Sequence, residues 1–321
     1  MSNNNNKEKN ISVPIDHNHK FLNEDRLKKW EIEKGDEYLN YRKQWHNNPK
    51  DGIVKDVPIH LDIEATSACN MKCIMCPRTD MLLDGTFWKV KNFNFDIYKK
   101  IVDQSTLNGN LKSIKFQYLG EPLVNKNLVK MIKYAKSKGV VDIMFNTNAA
   151  LLNEKKSEEI INSGVDKVFF SFDSPYREKY NKIRIGGDYD QVLNNIKNFM
   201  KIRKKMKKNT PITRAQMVIM KDNKQEWEDF KKMFEPIVDI IAYGDYMDYN
   251  TSKKPEDFLI EKKNGKNDKR FCCPQLWQRM FIHPDGVVTP CCFDAKRELK
   301  MGDINNETVE QVWNGKKYNK I

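Results

Sequence analysis

Cys69, Cys73 and Cys76 lie in one run, Cys69-Asn70-Met71-Lys72-Cys73-Ile74-Met75-Cys76. Three thiolates this close together suit a cubane iron–sulfur cluster, with one iron to each sulfur. The fourth iron then has no ligand from the protein and is open to a substrate. Two other chemistries use the same residue type: half of a zinc site, or buried structural thiols. Zinc knuckles use pairs spaced by two residues with a second pair downstream, a pattern that C-x3-C-x2-C matches poorly. Four more cysteines stand in two adjacent pairs, Cys272-Cys273 and Cys291-Cys292. Between them, Pro284-Asp285-Gly286 separates the apolar runs Met280-Phe281-Ile282 and Val287-Val288. That pattern predicts a β-hairpin with Cys273 and Cys291 on facing strands.

The elements that must position these residues follow from the apolar periodicity. Residues 20–47 are expected to be helical, with Phe21, Leu22, Leu27, Trp30, Tyr38, Tyr41 and Trp45 as anchors. From residue 57 strands and helices alternate. Ile59 to Ala65 is the first strand, and the three-cysteine loop follows it. Further strands are expected at 114–119, 141–145, 168–172, 215–220 and 238–242. Helices are expected between them at 95–105, 126–138, from the Asn153 cap to Gly164, 189–205 and 225–234. Six alternating units imply an α/β fold with a parallel sheet and right-handed crossovers. A doubly wound sheet and a partial barrel fit this pattern equally well. In both, functional groups gather at the C-terminal ends of the strands, which is where the cysteine loop falls.

A C-x3-C-x2-C run directly after a first strand resembles the radical S-adenosylmethionine enzymes, and the resemblance covers about residues 57–244. It implies a partial (β/α)6 TIM-like barrel. It also implies a [4Fe–4S] cluster on Cys69, Cys73 and Cys76, with S-adenosylmethionine chelated to the open iron. Reductive cleavage then gives a 5′-deoxyadenosyl radical that abstracts hydrogen from a substrate. Leu119-Gly120-Glu121-Pro122 resembles the family's Gly-Gly-Glu element, with Leu119 replacing the first glycine. The resemblance implies that Gly120 and Glu121 hold the cofactor's ammonium. Asn146-Thr147-Asn148 resembles a Thr-Asn-Gly element with Ala149 in place of glycine, and implies cofactor contacts from Asn146 and Asn148. Ser171 and the downstream Arg184 resemble a carboxylate grip, for which an arginine fork is suited. Met75 stands where the family often has an aromatic residue beside the adenine, and its sulfur can pack there instead.

The spacing Cys273-x12-Gly286-x4-Cys291, with Gly302-Asp303-Ile304 and Val312-Trp313-Asn314 after it, resembles a SPASM or twitch domain. This implies an auxiliary [4Fe–4S] cluster on Cys273 and Cys291. A zinc site built from all four C-terminal cysteines is the alternative. A complete domain of that type has further cysteines after the tryptophan, so a truncated domain is expected. The expected organisation is an N-terminal extension over 1–56, disordered to residue 18 and then helical. A barrel follows over 57–260, and a small C-terminal cysteine-containing hairpin domain over 261–321 opens on the charged linker 261–270.

The remaining sequence bounds function more loosely. The 321 residues are ample for a sizeable core. No stretch approaches the roughly 20 apolar residues of a membrane span, and Met1-Ser2-Asn3-Asn4-Asn5-Asn6 has no signal-peptide core, so a cytoplasmic protein is expected. Seven cysteines there point to metal or redox chemistry rather than disulfides. The net charge of +13 suits an acidic partner, such as an electron donor of the flavodoxin or ferredoxin type. Nucleic acid is not expected, since the chain has no aromatic-rich basic repeat, and the run Lys201–Lys208 is expected to be a solvated helix end. Three functions compete. The first is a radical enzyme oxidising or otherwise modifying a small molecule such as a sugar or cyclitol. The second is a peptide- or protein-modifying maturase, and the third a non-catalytic zinc- or RNA-binding protein.

Overall fold

The computed structural model describes residues 19–22, 24–247, 249, 258 and 273–321. The expected disorder of residues 1–18, the charged linker 261–270 and Cys272 lie outside the described residues. Six strands form the parallel core: β2 (His60–Ile63), β3 (Ser113–Phe116), β4 (Asp142–Thr147), β5 (Lys167–Ser171), β6 (Ile212–Ile219) and β7 (Ile240–Asp245). Each pairs in parallel with the next in sequence, which is the strand order of a partial (β/α)6 barrel. The edge at β7 is taken by β1 (His19–Leu22), which runs antiparallel to it. The other edge, at β2, is taken by β8 (Arg279–Ile282), which runs parallel to it. β8 turns back into β9 (Val287–Thr289), and β10 (Gly302–Asp303) closes the ten-stranded sheet.

Both faces of the core strands are buried, but they differ in chemistry. Leu61, Ile63, Ile114, Phe116, Ile143, Phe145, Val168, Phe170, Ala215 and Met217 belong to one apolar cluster. The alternate positions include His60, Asp62, Lys115, Gln117, Asn146, Ser171, Arg214 and Gln216, with Met144 and Phe169 as apolar members. The period of two that marks a strand therefore separates a helix-facing surface from a polar interior. The covering helices are α4 (Phe95–Thr106), α5 (Leu128–Ser137), α6 (Glu154–Ile161), α8 (Tyr189–Lys205) and α9 (Trp227–Phe234). Side-chain caps start several of them: Asn94 on α4, Asn153 on α6 and Asp188 on α8. α3 (Pro77–Leu83) and α7 (Arg177–Ile183) are short helices that the periodicity does not reveal. A capping box on Thr308 and Gln311 begins α10 (Val309–Trp313).

The N-terminal segment departs from the expected continuous helix. Residues 19–22 are strand β1, and only then come α1 (Glu24–Glu33) and α2 (Asp36–Asp51). These two helices close the N-terminal end of the barrel. Trp30, Tyr38, Tyr41 and Trp45 pack with Ile59, Ile212 and Ile240, which stand at or just before the starts of their strands. Inside this plug the Lys167 ammonium donates to the Tyr38 hydroxyl at 2.7 Å and to both Asp142 oxygens at 2.8 Å. A buried cation is tolerable here because its donors are matched. With that end sealed, the C-terminal ends of the strands are left as a mouth among the described residues. No described helix is long and apolar enough to cross a membrane.

Candidate functional site

A cavity of about 310 Å3 opens at the C-terminal ends of the strands. Cys69, Cys73, Met75, Cys76, Gly120, Glu121, Asn146, Asn148, Ser171 and Arg184 all line it. The sequence-based candidates from different strand ends are thus brought together.

The cysteine loop is held by backbone, not by its own thiols. Lys72 N–H donates to the Ile185 carbonyl at 2.8 Å, and Ile74 N–H to the Ile183 carbonyl at 3.0 Å. The segment after α7 therefore straps the loop from outside and delivers Arg184 to Cys73. The Arg184 guanidinium lies 3.9 Å from the Cys73 sulfur and donates through Nε to Asp173 Oδ2 at 2.7 Å. Its Nη2 also reaches Asp173, at 2.6 Å. Burial pushes the Cys73 thiol up, and the Arg184 charge opposes that shift. Burial likewise raises Cys69, and it raises Cys76 to about 12 with help from the neighbouring Cys73 sulfur. Thiols crowded in this way lose protons most readily to a metal, which supplies the missing positive charge.

Glu121 is where the turn after β3 meets the end of β4. Its carboxylate accepts from the Thr147 hydroxyl at 2.7 Å, the Asn148 N–H at 2.7 Å and the Leu123 N–H at 3.2 Å. Burial raises its pKa and these donors oppose the rise. Of about four acceptor positions on a carboxylate, roughly one is left for a ligand. Asn148 also donates to Asn70 at 2.9 Å, tying β4 to the cysteine loop. The Asn146 Oδ1 and Tyr118 hydroxyl are buried with no hydrogen-bond partner among the described residues. Both residues line the cavity.

Gly120 permits a close crossing. A Cβ there would stand 1.8 Å from the Thr66 carbonyl oxygen and 2.8 Å from that of Ala68. Both obstacles are backbone, so a side chain would lift the turn off the entrance to the cysteine loop. Gly120→Ala is expected to lose about 1–3 kcal/mol of stability by overpacking, read as a lower denaturant midpoint at unchanged slope. An unchanged midpoint would mean that the turn can separate from the loop without cost.

These features suit an iron–sulfur cluster with S-adenosylmethionine. Three thiols, a glycine turn pressed against the loop entrance and unsatisfied polar atoms line one chamber. All six described cysteines are thiols rather than disulfides. Among the described residues no three His, Cys, Asp or Glu side chains are gathered tightly enough to hold a single metal ion. A cubane does not require that, because each thiolate meets its own iron.

The inner sheet face supplies lining residues not singled out from sequence: Lys115, Gln117, Gln216 and Arg279. Their signal is the polar half of each alternating strand. Asp62 organises two of them, accepting from Gln117 at 2.7 Å and facing Arg279 at 3.1 Å, while Gln216 reaches Ser171 at 3.4 Å. Burial alone would raise Asp62, but Arg279, His60 and Lys115 hold it well below the carboxylate range.

The C-terminal cysteines need a correction. The hairpin is present, with Phe281 opposite Thr289 and Ile282 opposite Val288, and its turn contains Asp285 and Gly286. Cys273 and Cys291 are not on its strands. Cys273 precedes the short 3-10 turn Pro274–Trp277, and Cys291 follows the end of β9. The strands are only four and three residues long, so the cysteines flank them. Of the three described C-terminal cysteines, Cys292 lines the cavity at the strand ends. A hydrogen bond from the Cys292 thiol draws Cys291 below its ordinary value.

Comparison with known proteins agrees with this geometry. The model of the Radical SAM superfamily matches residues 63–234, and that of an iron–sulfur cluster-binding domain, SPASM, matches residues 272–321. A GTP 3′,8-cyclase of Clostridium botulinum is 26% identical over 298 residues, covering 81% of this chain and 90% of that protein. Among solved structures, Streptococcus suis SuiB bound to S-adenosylmethionine superposes with a TM-score of 0.63 at 14% identity, over 92% of this chain and 77% of that one. The native anSMEcpe with bound AdoMet gives 0.60 at 19% identity, over 82% and 83%. At these identities the two structures speak to the fold alone.

Proposed function

The chain belongs to the radical SAM superfamily, and on that premise we propose that Cys69, Cys73 and Cys76 hold the [4Fe–4S] cluster of this iron–sulfur enzyme. The cluster, when bound, supplies the electron that cleaves S-adenosylmethionine to a 5′-deoxyadenosyl radical. The rest of the site orients the cofactor. Gly120 offers its turn and Glu121 its remaining acceptor position to the ammonium. Arg184 and Ser171 face the carboxylate, Asn146 and Asn148 supply polar contacts, and Met75 packs against the adenine. The SPASM-type segment is assigned an auxiliary cluster, with Cys273 and Cys291 as ligands and Cys292 beside them. The electron donor is an acidic protein of the flavodoxin or ferredoxin type, and the setting is the cytoplasm. On domain limits, we keep an extension to residue 56, a barrel to 260 and the cysteine-bearing segment from 261.

The substrate is a small polar molecule such as a sugar or cyclitol, from which hydrogen is abstracted. One observation carries this reading: the chamber beyond the cysteine loop is small and floored by Lys115, Gln117, Gln216 and Arg279. Side chains of that kind match hydroxyl-rich ligands, donor to acceptor. The test is 5′-deoxyadenosine release by the reconstituted protein, offered cyclitols and amino sugars in one series and short peptides in another. A several-fold rise above the substrate-free rate is expected in the first series. A rise with peptides alone would move the substrate to the maturase class.

A further inference from the structure

The inner face of the sheet carries one chain of hydrogen bonds that the cofactor site does not use. Glu64 follows β2 and is buried to 1% exposure. Its Oε1 accepts the Leu119 N–H at 3.3 Å, and its Oε2 lies 3.0 Å from His283 Nδ1. His283 stands just past β8 and is also fully buried. Its Nε2 is 3.2 Å from the Thr289 hydroxyl, which donates to the Cys291 carbonyl at 3.4 Å. The path runs from the turn before Glu121 to the backbone of a C-terminal cysteine.

Two assignments satisfy the distances, an imidazolium paired with an ionised Glu64 and a neutral imidazole beside a carboxylic acid, and full burial of both side chains favours the neutral one. The Thr289 proton goes to the Cys291 carbonyl, so the Thr289 oxygen accepts from His283 Nε2–H. In the neutral assignment His283 Nδ1 is then an acceptor, and Glu64 donates to it, as the carboxylic acid, while its other oxygen accepts Leu119. The surroundings agree. Burial raises Glu64 to about 8 with Arg297 opposing, and burial also draws His283 well below its ordinary value. The charged groups facing the pair are Arg297 and its partner Asp285, 2.6 Å apart. The turn that Glu64 anchors needs an anchor. Tyr118 has a φ of 139°, unusual for a side-chain-bearing residue, and its ring packs on Phe281 and His283 of the hairpin at 4.8 and 5.8 Å.

We propose that Glu64, buried and hydrogen-bonded to His283, is a positioning residue for the Leu119–Gly120–Glu121 turn, so that the C-terminal hairpin sets the affinity for S-adenosylmethionine. This rests on the reading of that turn as cofactor surface. The experiment is calorimetric titration of the reconstituted full chain with S-adenosylmethionine. Glu64→Gln keeps one donor and one acceptor in place and is expected to bind within about twofold of wild type. Glu64→Ala and His283→Phe are expected to bind about tenfold more weakly, the equivalent of one lost hydrogen bond. Glu121→Ala is the control. If it binds normally, the cofactor reading of the turn fails. If it binds weakly while Glu64→Ala and His283→Phe bind like wild type, the positioning role is overturned.

A second readout needs no cofactor and serves if Glu64→Ala does not fold. An acid whose folded pKa is raised stabilises fully below its unfolded value, 4.5, and that contribution is lost as pH rises through about 8. The melting temperature of Glu64→Gln should therefore climb relative to wild type across that window and level off above it. A constant difference, or Glu64→Gln as damaged as Glu64→Ala, would mean that Glu64 is ionised in the fold and would overturn the neutral pairing on which the proposal rests.

Discussion

Replacing Cys69, Cys73 and Cys76 together by alanine is expected to abolish 5′-deoxyadenosine release while leaving the barrel folded. The loop does not depend on its thiols for shape. Ile183 and Ile185 accept its backbone N–H groups, and the Cys76 N–H donates to the Cys73 carbonyl at 3.2 Å. Met71, also in the loop, is buried and keeps it anchored to the core. Three Cys→Ala changes remove a sulfur each from half-buried or buried positions and cost the fold far less than a large core truncation. The chemistry has no comparable reserve, because among the described residues Cys292 is then the one thiol still lining the chamber, and a single thiolate cannot hold a cubane. Iron should fall by about four per chain, and any iron that remains is assigned to Cys273 and Cys291. Circular dichroism and the unfolding midpoint should stay near wild type. Undiminished cleavage by the triple variant would sink the cluster assignment.

The parts of the fold that are legible in the sequence are those with a local period. Ile114-Lys115-Phe116-Gln117 and its counterparts alternate because one face meets helices and the other a polar chamber, so all six core strands can be read. Asn153 marks a helix start through a cap that operates within three residues. Strand β1 has no such signal. Four residues at a sheet edge show no reliable alternation, and the helical pattern beginning nearby absorbs them. The pairing of β8 with β2 is equally hidden, since it joins residues more than 200 positions apart and is decided by which sheet edge is open. The aromatic side of α2 is visible as Tyr38, Tyr41 and Trp45, but not that it seals the barrel's lower end. At the site, residue types and their places at strand ends locate the cofactor candidates. Lys115, Gln216 and Arg279 look from sequence like ordinary solvated strand positions, and only closure of the sheet turns them inward. Spacing alone puts Cys273 on a strand, because it cannot tell a hairpin arm from the turns that flank it.

Arg184→Ala is expected to be costly in two separable ways. The family resemblance implies a grip on the cofactor carboxylate, which predicts an effect on binding above all. The structure adds a buried partner. Asp173 is fully buried, gives one oxygen to the Val218 N–H at 2.9 Å and offers the other to Arg184. Deleting the guanidinium leaves that carboxylate desolvated without its countercharge, a change worth about 3–5 kcal/mol. The cost should appear as a large drop in the denaturant midpoint. Pairing Arg184→Met with Asp173→Asn removes the stranded charge, since a neutral amide can still accept from Val218, and much of the stability should return. Affinity for S-adenosylmethionine should not return with it. A lost charge-assisted bond is worth about 1.5–3 kcal/mol, tenfold or more in binding, and neither substitution restores a cation beside Cys73. Stability measured by urea unfolding and affinity measured by calorimetry should therefore part company in the double variant. If both recover together, Arg184 serves the fold alone, and the carboxylate grip must be sought at Ser171 and its neighbours.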